Sequence, residues 1–262
     1  MASTESQTPG SQGHDTIAIL PVAAVEQHGP HLPLGTDLFI MEGYLERVIS
    51  RLDDHFPALF LPIQSIGLSD EHLSFPGTLS LKPETAIRAW SDIGEGLHRA
   101  GCRRLVIISS HGGNSPVMDI VARQLRVRFG MLAVTTSWQR FGYPKGLFEA
   151  DEMTHGIHGG DIETSLMLAF RPDLVRAEAC ADFPSRSIAM SQQYRYLNAG
   201  RPAGFGWLSE DLHPSGAIGN ASLATRDKGE QAAAHGAQAF ITLLNEVREF
   251  QAPFLMPSEQ VR

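Results

Sequence analysis

The chain is 262 residues long, with 42% hydrophobic and 19% charged residues and a formal net charge of −8; this is ordinary for a folded globular protein and unlike a disordered one. Lysine and arginine are spread along it rather than gathered in a patch, which argues against a nucleic-acid partner. No apolar run approaches the roughly 18 residues of a membrane span, so the chain reads as a soluble, cytoplasmic protein.

Residues 1–14 are polar, lack an apolar secretory core and read as a disordered tail. Residues 15–262 then read as one domain. The first element is an apolar run at 17–25, a buried strand. It leads directly into Glu26-Gln-His28-Gly-Pro-His31-Leu-Pro-Leu-Gly-Thr-Asp37, which places imidazoles and carboxylates at the strand's C-terminal edge, where open α/β sheets bind ligands. Nitrogen and carboxylate donors together suit a divalent transition metal better than Ca²⁺ or Mg²⁺. Glu26 and His28 are two apart and leave an extended chain on one face. Asp37 opens a helix over 37–52, where it is either an N-cap or a ligand. His31 is either a substrate contact or an exposed loop histidine.

A second strand at 58–63 is followed by Asp70-Glu71-His72 and the turn Phe75-Pro-Gly77-Thr78. Glu71 and His72 could rim a pocket and touch substrate there. A helix over 82–100 starts with Pro83 in its first turn. The clearest buried strand, 105–109, runs into Ser110-His111-Gly112-Gly113-Asn114 and a helix over 116–129. Paired glycines at such a corner allow a close backbone approach to a ligand, which sets Gly113 and Asn114 against substrate; an ordinary turn with an incidental histidine is the alternative. A strand at 131–137 leads to Trp138, which reads either as an aromatic pocket wall or as core.

The third polar segment is His155-Gly-Ile-His158-Gly-Gly-Asp161-Ile-Glu163-Thr-Ser165, a glycine-rich turn feeding a helix that stops before Pro172. Asp161 can simply complement the helix dipole. Glu163 reads as a ligand or proton carrier, and His158 as a general acid/base. Residues 183–220 read as long loops, and a last helix covers 225–250. The alternation of strands and helices predicts an α/β fold with a mostly parallel sheet flanked by helices. Cys102 and Cys180 match no metal or redox spacing.

Two carboxylates, two histidines and Glu163 are enough for a pair of divalent ions. Two ions about 3.5–4 Å apart can hold a hydroxide between them while polarising a carbonyl oxygen, which describes hydrolysis of a C–N amide bond. The sequence contains no GxSxG elbow and no GxGxxG or Walker loop to support a competing chemistry.

Glu26 to Asp37, His111-Gly-Gly-Asn114, His158-Gly-Gly-Asp-Ile-Glu163-Thr-Ser165, Phe75-Pro-Gly77-Thr78 and Thr225-Arg-Asp-Lys-Gly229 together resemble the creatininase (creatinine amidohydrolase) family, in the family's order and over nearly the whole chain. The resemblance implies a three-layer α/β fold, two divalent metals (Zn, Mn or Fe) and a homohexamer built as a trimer of dimers. It implies that Glu26 and His111 hold one metal, that His28 holds the other and that Asp37 bridges them. His158 matches the family's catalytic histidine. Two departures argue against creatinine itself as the substrate. Gly113 stands where creatininase proper has a glutamate, which leaves Glu163 to supply the second metal's carboxylate, and Thr154 stands near the position of a tryptophan. The expected reaction is hydrolysis of a small cyclic amide, ureide or formamide. A peptidase-like maturase and a metal-binding homologue without catalysis are the alternatives.

Overall fold

A computed structural model of the chain describes residues 15–251; the expected N-terminal tail lies outside them. In chain order the elements are β1 (Ile17–Val22), α1 (Thr36–Ile49), β2 (Ala58–Phe60), α2 (Pro83–Arg99), β3 (Arg104–Ser109), α3 (Ser115–Phe129), β4 (Leu132–Ser137), α4 (Ala150–His155), α5 (Asp161–Phe170), β5 (Asp182–Phe183), α6 (Arg186–Gln193), β6 (Leu197–Asn198), β7 (Ala203–Gly204), α7 (Ser209–Leu212), β8 (Gly219–Asn220) and α8 (Arg226–Glu249). Short 3₁₀ turns join several of them.

The main sheet has the order β2-β1-β3-β4, and every pairing in it is parallel. Alternation along the strands sorts the core into two layers. Ile17, Ile19, Val106 and Ile108 face one way, onto α1, α5 and α8 through Met41, Tyr44, Leu166 and Phe240. Ala18, Leu20, Val22, Leu105 and Ile107 face the other way, onto α2 and α3 through Trp90, Val121 and Leu125. Both faces are covered, so the two central strands, β1 and β3, read as continuous apolar runs rather than alternating ones. The result is the expected three-layer α/β arrangement.

β1 ends at Val22 instead of reaching residue 25. Beyond it the chain is held by single contacts, the Ala23 N–H to the Gln64 carbonyl and the Leu79 N–H to the Val25 carbonyl. β2 stops at Phe60, short of residue 63, and Pro62 soon after has no N–H to donate. The segment read as loops, 183–220, contains α6, α7 and two two-stranded pairings, β5 with β8 and β6 with β7. These elements are only two to eight residues long, too short for hydrophobic periodicity to register.

The Thr225–Gly229 segment is a clasp. Thr225 caps α8 by accepting the Lys228 N–H, and Lys228 Nζ pairs with the buried Asp161 at the start of α5. Ser165 Oγ joins both ends, donating to Asp161 Oδ1 and accepting the Thr225 N–H. Gly229 lets the two helices meet, because a Cβ there would run into the Ser165 carbonyl. Asp161 therefore ties α5 to α8. No helix among the described residues is long and apolar enough to cross a membrane.

Candidate metal centre

All four strands of the sheet point the same way, so their C-terminal ends share one edge. The polar segments gather there: residues 26–37 follow β1, Ser110–Asn114 follow β3, Trp138 follows β4, and His158–Glu163 lead into α5. Asp37 is the second residue of α1, whose N-cap is Gly35 with no side-chain cap. Asp37 is therefore not a cap, and its carboxylate is free for the centre.

Two clusters of three residues share Asp37. Glu26, Asp37 and His111 each offer a ligand atom within 4.8 Å of the others, and so do His28, Asp37 and Glu163. Asp37 Oδ2 lies 3.5 Å from His111 Nδ1, while its Oδ1 lies 3.7 Å from His28 Nε2. Glu26 Oε1 is 3.2 Å from His111 Nδ1, and Glu163 Oε2 is 3.8 Å from His28 Nε2. Glu26, His28 and His158 form a further such group. His158 Nδ1 sits 3.5 Å from Glu26 Oε1, and its ring lies 4.1 Å from those of both His28 and His72.

Backbone carbonyls orient the imidazoles. A carbonyl only accepts, so the nitrogen facing it carries the proton. His28 Nδ1 donates to the Glu26 carbonyl, His111 Nε2 to the Leu68 carbonyl and His158 Nε2 to the Gln27 carbonyl. The inner nitrogens, His28 Nε2 and His111 Nδ1, therefore face the carboxylates and are the atoms that can give a lone pair to a metal once deprotonated. Metal-ligating histidines are held in this way in general. Both Glu26 oxygens, His28 Nε2 and Asp37 Oδ2 are buried without a hydrogen-bond partner. Buried polar atoms are otherwise almost always paired, and this convergent N,O set fits divalent transition ions.

The protonation balance of the bare side chains gives the same reading. Burial would raise the Glu26 carboxyl, but His111, His158 and His72 outweigh it and hold it well below the usual range. Burial opposes a charge on His28 and His111, yet the surrounding Asp37, Glu163 and Glu26 lift His28 to about 9, and Glu26, Asp37 and Glu71 lift His111 to about 10. Burial, reinforced by Glu26, raises Asp37, and burial lifts Glu163 to about 7. Protons thus stand where cations would. His158 behaves oppositely: burial and the neighbouring His28 and His72 push it well below the usual histidine value, so it is a neutral base.

The remaining residues singled out from the sequence fall into distinct places. His72 enters the centre: its Nδ1 accepts from Gln27 Nε2, which leaves Nε2–H facing Glu26 Oε1 at 3.4 Å. Burial lowers it to about 4. Glu71 Oε1 lies 3.5 Å from His111 Nε2, on the side away from the carboxylate pair. Gly113 makes room for it, since a Cβ there would sit 2.6 Å from Glu71 Oε1 and 2.5 Å from His111 Nε2. Asn114 is a strut: it accepts the Leu68 N–H and donates to the Ala23 carbonyl and Ser109 Oγ. Its amide thus joins the loop at Leu68 to the ends of β1 and β3. His31 is fully buried rather than exposed; its Nε2 meets the Gly159 carbonyl and Thr164 Oγ1, and its ring stacks on Phe183. Trp138 is both core and wall: it stacks on Tyr44 at 4.1 Å and lines a cavity of about 50 Å³ with Ser110, Tyr143, His158 and Glu163. His155 bonds Ser187 Oγ, and Thr154 bonds back to Ala150 in α4.

Three contributors are not apparent from spacing. Gln27 links the Gly216 carbonyl to His72 and offers its own carbonyl to His158. Its position between Glu26 and His28 was the available signal. Ser110, beside His111, lines the cavity. Glu152 accepts the Ile162 and Asn220 N–H groups and so braces the turn before α5.

A profile of the creatininase family, described as creatinine amidohydrolase, matches residues 1–244. A creatinine amidohydrolase of Pseudomonas putida is 31% identical over 82% of this chain and 84% of its own length. A mycofactocin precursor peptide peptidase of Mycobacterium ulcerans (strain Agy99) is 29% identical over 87% of this chain and 83% of that one. The structure of the Mn form of creatininase superposes with a TM-score of 0.71 at 29% identity, covering 90% of this chain and 92% of that one. The sheet edge, the shared Asp37 and the match along the chain lead to one conclusion: the protein belongs to the creatininase family of hydrolases.

Proposed function

We propose that this chain is a two-metal amidohydrolase that cleaves a C–N bond in a small cyclic amide, ureide or formamide. The observation that carries the reading is the pair of buried clusters sharing Asp37, with their unpartnered acceptors, beside a cavity of about 50 Å³. Glu26 and His111 would hold one ion, His28 and Glu163 the other, and Asp37 would bridge them. When bound, the divalent ions (Mn, Zn or Fe) polarise a carbonyl and lower the pKa of water from about 15.7 to about 7.

The chain's own residues handle the proton. His158 keeps Nε2–H on the Gln27 carbonyl, so Nδ1 takes the proton from the attacking water. It then delivers that proton to the departing nitrogen as the C–N bond breaks. A cavity of this size holds roughly four water-sized groups, which favours a small substrate. His158 lines that cavity, as catalysis requires and a purely metal-binding homologue does not. A second reading, a maturase acting on a peptide, is favoured by a shallow depression of about 520 Å³ along Gln27, Pro33, Leu34, Phe75 and Arg176.

The test is turnover by the metal-reconstituted protein on cyclic ureides, lactams, formamides and short peptides. Hydrolysis of a small ring or formamide is the expected result. Cleavage of peptides alone would replace this reading with the maturase.

A further inference from the structure

We infer that Ser110 and Trp138 form a receiving site for an uncharged carbonyl oxygen of the substrate, distinct from the carbonyl that is cleaved. This rests on the amidohydrolase reading above and names the chemistry its substrate carries.

The placement follows from strand register. β3 and β4 are parallel, and their last paired residues are Ser109 and Ser137. Ser110 and Trp138 are the next residue on each strand, so they emerge side by side at the edge where the metal centre lies. Both line the cavity that also presents His158 and Glu163. Both are 2% exposed, and Ser110 Oγ and Trp138 Nε1 have no hydrogen-bond partner. An unmet buried donor is costly, and two of them on residues that line one cavity are the mark of a ligand atom.

The chemistry of the donors selects that atom. The indole N–H only donates, and the serine hydroxyl can donate alongside it, so the ligand must offer an acceptor. The charged side chains lining the cavity are Glu152 and Glu163. A carboxylate would face both without a compensating cation on this wall, whereas a neutral carbonyl oxygen meets the two donors without that repulsion. Trp138 is held rigid by stacking on Tyr44 at 4.1 Å and by an edge contact with Phe240, so the N–H is preorganised. The substrate class is therefore a small ring bearing two carbonyls, an imide or cyclic ureide, with one carbonyl at the metals and one at Ser110 and Trp138.

Succinimide and 2-pyrrolidinone share a ring and differ by one carbonyl. In zinc-loaded protein labelled with ¹⁵N at tryptophan, the Trp138 indole N–H signal, assigned by its loss in Trp138→Phe, is expected to shift with succinimide and not with 2-pyrrolidinone. In turnover, wild type is expected to favour succinimide by ~10-fold or more in kcat/KM. Ser110→Ala, a change too small to disturb the fold, should bring that ratio toward one. A shift without hydrolysis of either ring would uphold this site and overturn the hydrolytic reading. Hydrolysis with no indole shift and an unchanged ratio in Ser110→Ala would overturn the site and leave the hydrolytic reading standing.

Discussion

Glu71 Oε1 lies 2.6 Å from the point a Cβ on Gly113 would occupy, so the two positions share one space. Glu71, on a different loop, fills the space beside Gly113 and brings its Oε1 to 3.5 Å from His111 Nε2. Gly113→Ala should therefore displace Glu71 and His111 and lower kcat/KM by ~10-fold or more. Glu71→Ala in the same chain should recover part of that loss by freeing the space. The coupling is read from a double-mutant cycle; strictly additive losses would show that the two residues do not compete.

Asp37 and His158 should separate on metal content. Asp37→Ala removes the residue common to both clusters and should lose both ions by elemental analysis. His158→Ala should keep the metal while turnover falls by roughly 10²–10⁴. Full activity in His158→Ala on a verified substrate would remove the acid/base assignment. Glu163→Ala is expected to retain one ion of two.

Metal uptake should release protons and strengthen with pH. His28, raised to about 9, and His111, raised to about 10, are protonated at pH 7 in the bare protein, and Glu163 at about 7 is half protonated. Ligands bind metal in the deprotonated form. Affinity should accordingly rise as pH climbs from 7 towards 9–10 and fall below 7. Titration calorimetry in two buffers of different ionisation heat measures the protons released; none at pH 7 would contradict the protonated histidines.

The Asp161–Lys228 pair is predicted to matter for stability and not for metal. Lys228→Met leaves the fully buried Asp161 carboxylate with Ser165 Oγ alone, at a cost of about 1–3 kcal/mol. The midpoint of denaturant unfolding should fall while metal content per chain stays at the wild-type level.

A homohexameric assembly is proposed for the protein in solution. Light scattering should then give a mass near six times the 28.6 kDa chain, and a monomer mass would overturn it.

The sequence by itself determined the sheet and most of the centre. β1 and β3 are runs of residues buried on both faces, so they stand out as apolar segments, and their direction follows once helices intervene. Glu26, His28, Asp37, His111, His158 and Glu163 were legible because each sits at a strand end or helix start, where polar residues crowded among glycines have few structural uses. Only the tertiary structure decided what depends on contacts between distant segments. It divided the two oxygens of Asp37 between His28 and His111, filled the place beside Gly113 with Glu71, spent Asn114 on backbone and made His31 a buried clamp. It also set Ser110 beside Trp138, because β3 and β4 end in the same register. Spacing along the chain fixes which face a residue shares with its near neighbours, whereas hydrogen-bond partners 40 or more residues away, as His72 is from Gln27, exist only once the layers have packed.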